Sequence, residues 1–242
     1  METLHTAALV TGASRGLGAA VARALAARGT RVALVARGQE ELQRTVATIR
    51  ATGGDAHPIV ADVGDKRVAH AIAAAAFALV GPLDLLVHNA STLGNVPLRP
   101  LMDTDCEAVA RAFEVNVLAP LRLTKLVAAS MILRGQGLIV QITSDASVNA
   151  YAGWGAYGVS KAALDHLGRI LGAELQGTGV RVVTVDPGEM NTRMHSDAMP
   201  EADTGALLDP EVVAQRILRL IQSGDAIPSG ARVEAAAWEL RP

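Results

Sequence analysis

The chain has 242 residues, half of them hydrophobic and 19% charged, with a formal net charge of −2. That balance supports a large buried core and argues against disorder and against a non-specific nucleic-acid surface. Aromatic residues make up only 2%, and the single Cys106 excludes an internal disulfide and any cysteine-based metal site.

The opening METLHT runs almost at once into an apolar strand, leaving no room for a signal peptide. The apolar stretches read as broken by charge or as shorter than the ~20 residues a bilayer requires. Cytoplasm is the expected compartment, with neither membrane nor nucleic acid as partner and no metal.

The first predicted strand, Ala7–Thr11, ends in TGASRGLG. Gly12, Gly16 and Gly18 fall at the strand-to-helix turn, with Ser14, Arg15 and Leu17 between them. Glycines there allow a tight turn, and the helix start offers unpaired N–H groups and a positive dipole to a pyrophosphate. The second strand, Arg31–Ala36, is followed by Arg37 and by no acid. NAD sites usually place Asp or Glu at this point for the ribose 2′-hydroxyl, whereas Arg can pair with a 2′-phosphate. A guanidinium holds phosphate bidentately. With Arg15 as a second cation, the pattern reads as NADP(H).

The third strand, His57–Ala61, precedes Asp62 and Val63, where a carboxylate can bond an adenine amino group. AHAIAAAAFALV reads as a helix packed tightly on a sheet. The fourth strand, Leu83–His88, leads into HNAS, in which Asn89 and Ala90 border the cofactor region and Asn89 reads mainly as a tie between loops. Cys106–Arg134 follows as a long segment containing Asn116, with Pro120 expected to kink or interrupt it.

The fifth strand, Leu138–Thr143, delivers Ser144. GAYGVSKAALDHL then sets Tyr157 and Lys161 four residues apart, on one face of a helix. A cation ~4 Å from a phenol, at an effective dielectric of ~20, is worth roughly 4 kcal/mol and would lower its pKa by about three units. That shift would bring the phenol into the range of efficient general acid–base catalysis. The sixth strand, Val180–Asp186, ends in a turn at Pro187 and Gly188. The irregular Glu189–Pro210 after it reads as a substrate-covering segment. Arg232–Ala236 is the seventh strand.

Near-continuous apolar strands fit burial on both faces of a parallel sheet. Alternating βα units without linker or repeat predict an α/β single-domain, doubly wound Rossmann fold over residues 1–242. Its expected core is a seven-stranded parallel sheet flanked by helices.

In order, TGASRGLG, Asp62-Val63, HNAS, Asn116, Ser144, YGVSK and DPGEMNT resemble the short-chain dehydrogenase/reductase family over nearly the whole chain. The resemblance implies that Tyr157 exchanges a proton with the substrate oxygen and that Ser144 bonds that oxygen. It implies that Lys161 lowers the tyrosine's pKa and bonds the nicotinamide ribose, and that Asn116 holds a water linking Lys161 to solvent. Thr192, beyond Pro187 and Gly188, would bond the carboxamide. Asn95, Tyr151, Trp154, Met190 and Met194 are candidates for the substrate pocket, and a homodimer or homotetramer is expected. Ser91 stands where the family usually has glycine, and His88 where it has asparagine. The ending SGARVEAAAWELRP departs from the glycine-rich strand of β-ketoacyl reductases. The leading reading is an NADP(H)-dependent enzyme interconverting a carbonyl and an alcohol. The alternatives are an NAD-dependent alcohol, sugar or steroid dehydrogenase, and a non-catalytic dinucleotide-binding regulator.

Overall fold

Strands β1 (Ala7–Thr11), β2 (Arg31–Ala36), β3 (Ala56–Val60), β4 (Leu85–His88), β5 (Gly137–Ile142), β6 (Val180–Asp186) and β7 (Arg232–Glu234) form one sheet. The structure is a computed structural model and describes residues 5–236. The strand order is β3-β2-β1-β4-β5-β6-β7, and every neighbouring pair is parallel. The chain therefore has the α/β doubly wound architecture expected from its strand pattern. The order reverses between β1 and β4, which places a crevice at the carboxyl ends of these strands.

Successive strand residues point to opposite faces, and both faces are covered. Val10, Leu34, Val87 and Val140 pack with α1 (Gly16–Ala26), α2 (Gln39–Ala51) and α8 (Pro210–Gln222). Leu9, Val35, Leu86 and Ile139 pack on the other side with α3 (Ala69–Val80) and α5 (Ala119–Arg134). Pro58 lacks a ladder donor and lies on β3, an edge strand, where that loss is tolerated. The remaining helices are α4 (Cys106–Phe113), α6 (Gly155–Glu174) and the short α7 (Arg193–Ala198).

Two expectations change in the Cys106–Arg134 region. The run is one helical stretch of 29 residues, long and apolar enough by length and composition to cross a membrane, so the reading that no segment reaches that length is corrected. Half of its apolar window is buried inside the fold, with Leu123, Val127 and Met131 in the core beneath the sheet. Nor does Pro120 break the helix. The stretch continues through it, but the α-helical pattern is interrupted just before Pro120 by a π-helical segment at Glu114–Leu118. Glu189–Pro210 is less irregular than expected, since it contains α7 and a parallel bridge between Met190 and Leu208.

Candidate active site

At the phosphate end, a Cβ on Gly18 would lie 2.4 Å from both the Gly12 carbonyl oxygen and Asn89 Nδ2, so no side chain fits there. Asn89 Nδ2 donates to the carbonyls of Thr11 and Gly12 at 3.0 and 3.2 Å. The N–H groups of Asn89 and Ala90 both donate to Thr11 Oγ1 at 3.1 Å. Asn89 is thus a loop tie that fixes the glycine turn. Helix α1 starts without a side-chain cap and without an acid in its first turn. Its leading N–H groups and dipole suit an anion, so these residues fit a dinucleotide pyrophosphate. Across the crevice, Thr192 Cγ2 lies 3.5 Å from where a Cβ of Gly16 would sit. Thr192 Oγ1 accepts from the His195 N–H at 3.3 Å, which leaves the hydroxyl proton free to donate elsewhere.

Arg37 is exposed beyond β2 and has no side-chain partner among the described residues. Arg15 is less free than its sequence position implied. Its Nη1 lies 3.5 Å from Glu41 Oε1 on α2, and Ser14 Oγ donates to Glu41 Oε2 at 3.5 Å. Glu41 is not legible at the end of β2 in the sequence, because it reaches the glycine turn from α2. Asp62 Oδ1 accepts from the Gly64 N–H at 2.9 Å, its other oxygen lies 3.7 Å from Arg111, and Val63 packs against the core.

At the chemical end, Tyr157 and Lys161 are both buried, 7% and 2% exposed. Lys161 Nζ donates to the Ile142 carbonyl at 2.7 Å and stands 5.5 Å from the Tyr157 ring centroid. The expected lowering of the tyrosine's pKa by the lysine is corrected for the chain alone. Burial pushes the phenol up, partly opposed by the Ser144 and Ser91 hydroxyls beside it, while Asp186 and Asp145 add to the rise. The ammonium faces the ring and a carbonyl instead of the phenolic oxygen, so desolvation prevails. Burial likewise pulls Lys161 down to about 8, against the opposing pull of Asp165 and Asp186.

Asn116 lies in the π-helical segment with its amide saturated. Its Oδ1 accepts from Ser91 Oγ at 3.1 Å and from the Thr92 N–H at 2.9 Å. Its Nδ2 donates to the Thr92 carbonyl at 2.9 Å and to Ser160 Oγ at 2.8 Å. An amide has four such positions and all are taken, so the side chain fastens the loop after β4 to α6. Ser91, the departure from the family pattern, is part of that anchor. His88, the other departure, is buried and bonded to Thr124 Oγ1 at 2.9 Å, and burial lowers its pKa to about 3.

Ser144 Oγ accepts from the Ala146 N–H at 3.2 Å and donates to Asp145 Oδ1 at 2.9 Å. The other Asp145 oxygen accepts from the Tyr151 hydroxyl at 2.6 Å. Tyr151, Trp154 and Tyr157 form an edge-on aromatic series with centroid separations of 6.4 and 5.8 Å. Leu93, Leu98, Ala146, Trp154, Met194 and Ala198 pack around Tyr157 as an apolar wall. Met194 and Trp154 thus join the tyrosine as expected candidates, and Asn95 is exposed beside them in sequence to Leu93. Met190 does not join them. It packs against the opposite core, as does Leu208, to which a parallel bridge joins it. Buried Pro187 and exposed Gly188 form the turn after β6, where the Gly188 N–H donates to Asp186 Oδ1 at 3.0 Å.

A family model for short chain dehydrogenases matches residues 6–203. A short chain dehydrogenase of Pseudocercospora fijiensis is 37% identical over 206 residues, which span 84% of this chain and 66% of the relative's own length. Human L-xylulose reductase is 33% identical over 243 residues, 95% of each chain. Among solved structures, a Shigella flexneri short chain dehydrogenase complexed with NADP superposes with a TM-score of 0.88 at 27% identity, covering 96% of this chain and 97% of the other. A 7α-hydroxysteroid dehydrogenase complexed with NADH gives a TM-score of 0.86 at 29% identity over 95% of both chains.

Proposed function

This chain belongs to the short-chain dehydrogenase/reductase family, and from that premise we propose an NADP(H)-dependent oxidoreductase that interconverts a ketone or aldehyde with an alcohol. The observation that carries the reading is the convergence of Ser144, at the end of β5, with Tyr157 and Lys161 on α6 in one buried cluster. The nicotinamide, when bound, supplies the hydride in reduction and accepts it in oxidation. Tyr157 holds the other half of the chemistry. Its phenol, protonated at neutral pH, would protonate a carbonyl oxygen and in reverse take the proton back; burial in the chain alone makes it a weaker acid, a rise partly opposed by the Ser144 hydroxyl beside it. Ser144 stands at the phenol, and its one hydroxyl proton, held by Asp145 Oδ1 in the chain alone, would turn to the substrate oxygen to stabilise the charge developing there. Lys161 provides a buried cation beneath the ring, and Asn116 holds the loop and helix that frame the site.

Gly12, Ser14, Gly16, Leu17, Gly18, Asp62, Val63, Ala90, Gly188 and Thr192 would hold the dinucleotide, with Asn89 and Pro187 shaping the loops. Arg37 favours the 2′-phosphate because its exposed guanidinium at the end of β2 has no side-chain partner among the described residues. A second reading, NAD dependence, is favoured by one observation: Glu41 engages Ser14 and Arg15 and adds a carboxylate nearby. The apolar wall around Tyr157 favours a carbonyl compound with an apolar body. We place the enzyme in the cytoplasm as a homodimer or homotetramer, joined through the α4–α5 and α6 faces, where Leu118, Ile132, Val159 and Ile170 are exposed. A panel of ketones and aldehydes, with NADPH and NADH consumption followed in parallel, tests the reading. Turnover of some member with NADPH is expected; no turnover with either cofactor would overturn it.

A further inference from the structure

The last strand of the sheet carries a charged side chain that reaches behind the catalytic cluster. Arg232 on β7 is only 15% exposed in its side chain. Its Nε donates to Asp165 Oδ2 at 3.1 Å, and its Nη2 donates to Asp186 Oδ2 at 2.7 Å and to the Ser144 carbonyl at 3.3 Å. Each partner belongs to a segment of the site. Asp165 lies one helical turn beyond Lys161 on α6 and also accepts from Ser147 Oγ at 2.6 Å. Asp186 closes the turn that presents Gly188. Ser144 is itself the serine of the catalytic group. The close seat of α6 makes this reach possible, since a Cβ on Gly172 would lie 2.4 Å from Gly230 Cα, two residues before Arg232.

We propose that Arg232 is a positioning residue for the reaction: one guanidinium fixes Ser144, the α6 turn beyond Lys161 and the Asp186–Gly188 turn relative to one another. A planar fork with donors in several directions suits this task, and a lysine's single ammonium cannot reproduce it. The electrostatics agree with the geometry. Asp165 and Asp186 act directly on Lys161, and Asp186 also acts on Tyr157. Asp145 acts on Tyr157 from the turn after β5, and exposed Glu234 on β7 lies 3.8 Å from Arg232. Arg232 offsets the two buried carboxylates. Without it, the cluster of Lys161, Asp165 and Asp186 would carry a net negative charge and hold the lysine's proton more tightly.

The inference rests on the proposed oxidoreductase reading, and two readouts separate the two. The chain has three lysines, Lys66, Lys125 and Lys161, so the Lys161 ammonium can be titrated by NMR in labelled protein without cofactor or substrate. In Arg232→Met, kcat should fall by about 10²-fold, with KM changing less, because small displacements of catalytic groups carry penalties of that order. Its Lys161 titration should lie above that of the native protein measured in parallel. Arg232→Lys should restore that titration and recover only part of kcat. A folded Arg232→Met with native kcat, or with lost kcat and an unmoved Lys161 titration, overturns the proposal. If Arg232→Met does not fold, Arg232→Lys decides: lowered kcat with a native melting temperature supports positioning, and native kcat overturns it. Native protein that turns over no carbonyl compound would instead overturn the oxidoreductase reading, separately from the titration.

Discussion

Lys161 sits beneath Tyr157 with its ammonium 5.5 Å from the ring centroid, hydrogen-bonded to the Ile142 carbonyl and not to the phenol. The pair is therefore coupled through the ring face in a buried site, where a cation over an aromatic ring is stabilised most. Burial moves the two groups in opposite senses, the phenol up and the ammonium down to about 8. At neutral pH the chain thus presents a protonated phenol over a charged lysine, the arrangement needed to donate a proton during reduction.

Tyr157→Phe should abolish carbonyl turnover while leaving NADPH binding within a few-fold of native. The ring stays in the apolar wall beside Trp154, so stability should hardly change. Steady-state kinetics, fluorescence titration with NADPH and a melting curve test all three expectations together. A variant with near-native rates would remove the tyrosine from the chemistry.

Replacing the lysine separates stability from function. The folded pKa of Lys161 is about 8, below its ordinary value of 10.5. Between these two values the unfolded chain binds more protons than the native one. Stability from this group is therefore present above pH 10.5 and is lost as pH falls toward 8, at roughly 1.4 kcal/mol per pH unit. Lys161→Met should remove that slope and raise the melting temperature at pH 7, since a buried charge is exchanged for an apolar chain. It should also lower kcat sharply, and native activity should decline above about pH 8 as the ammonium deprotonates.

The strands were readable because both faces of the sheet are buried, so apolar runs mark them directly. Leu9 and Val10 face opposite cores, yet both are fully buried. The Tyr157–Lys161 pair and Ser144 were readable from spacing within and just before one helix. What spacing could not give is direction. Met190 and Met194 lie four residues apart, yet one packs toward the sheet and the other toward Tyr157. Glu41 and Arg232 were missed for a related reason. Each reaches the site from another element, and only the fold sets Arg232 beside Ser144 at a separation of 88 residues. The sign of the tyrosine's shift was missed because sequence supplies a neighbouring charge but not the depth of burial.

Cofactor choice can be tested at the end of β2. Arg37→Asp should weaken NADPH by about 1–3 kcal/mol, the scale of a charge-assisted contact, and leave NADH equal or improved. Glu41→Gln should strengthen NADPH by releasing Arg15 and Ser14 from a carboxylate. Dissociation constants for both cofactors at fixed ionic strength provide the check. Unchanged NADPH affinity in Arg37→Asp would remove the argument for a 2′-phosphate contact.

The departure at His88 carries a prediction about acid stability. The histidine is 3% exposed and bonded, among the described residues, to Thr124, and burial lowers its pKa from 6.5 to about 3. Below pH 6.5 the unfolded chain takes up a proton that the native chain refuses. Stability from the neutral imidazole is therefore intact above 6.5 and falls as pH drops toward 3, by roughly 1.4 kcal/mol per unit. His88→Asn retains a polar group facing Thr124 but cannot titrate. Urea unfolding of both proteins from pH 7 to pH 4 isolates the effect, because carboxylates common to both cancel in the difference. The native protein should lose stability faster than the variant as pH falls. Parallel losses would mean that the buried histidine contributes nothing to the acid sensitivity of the fold.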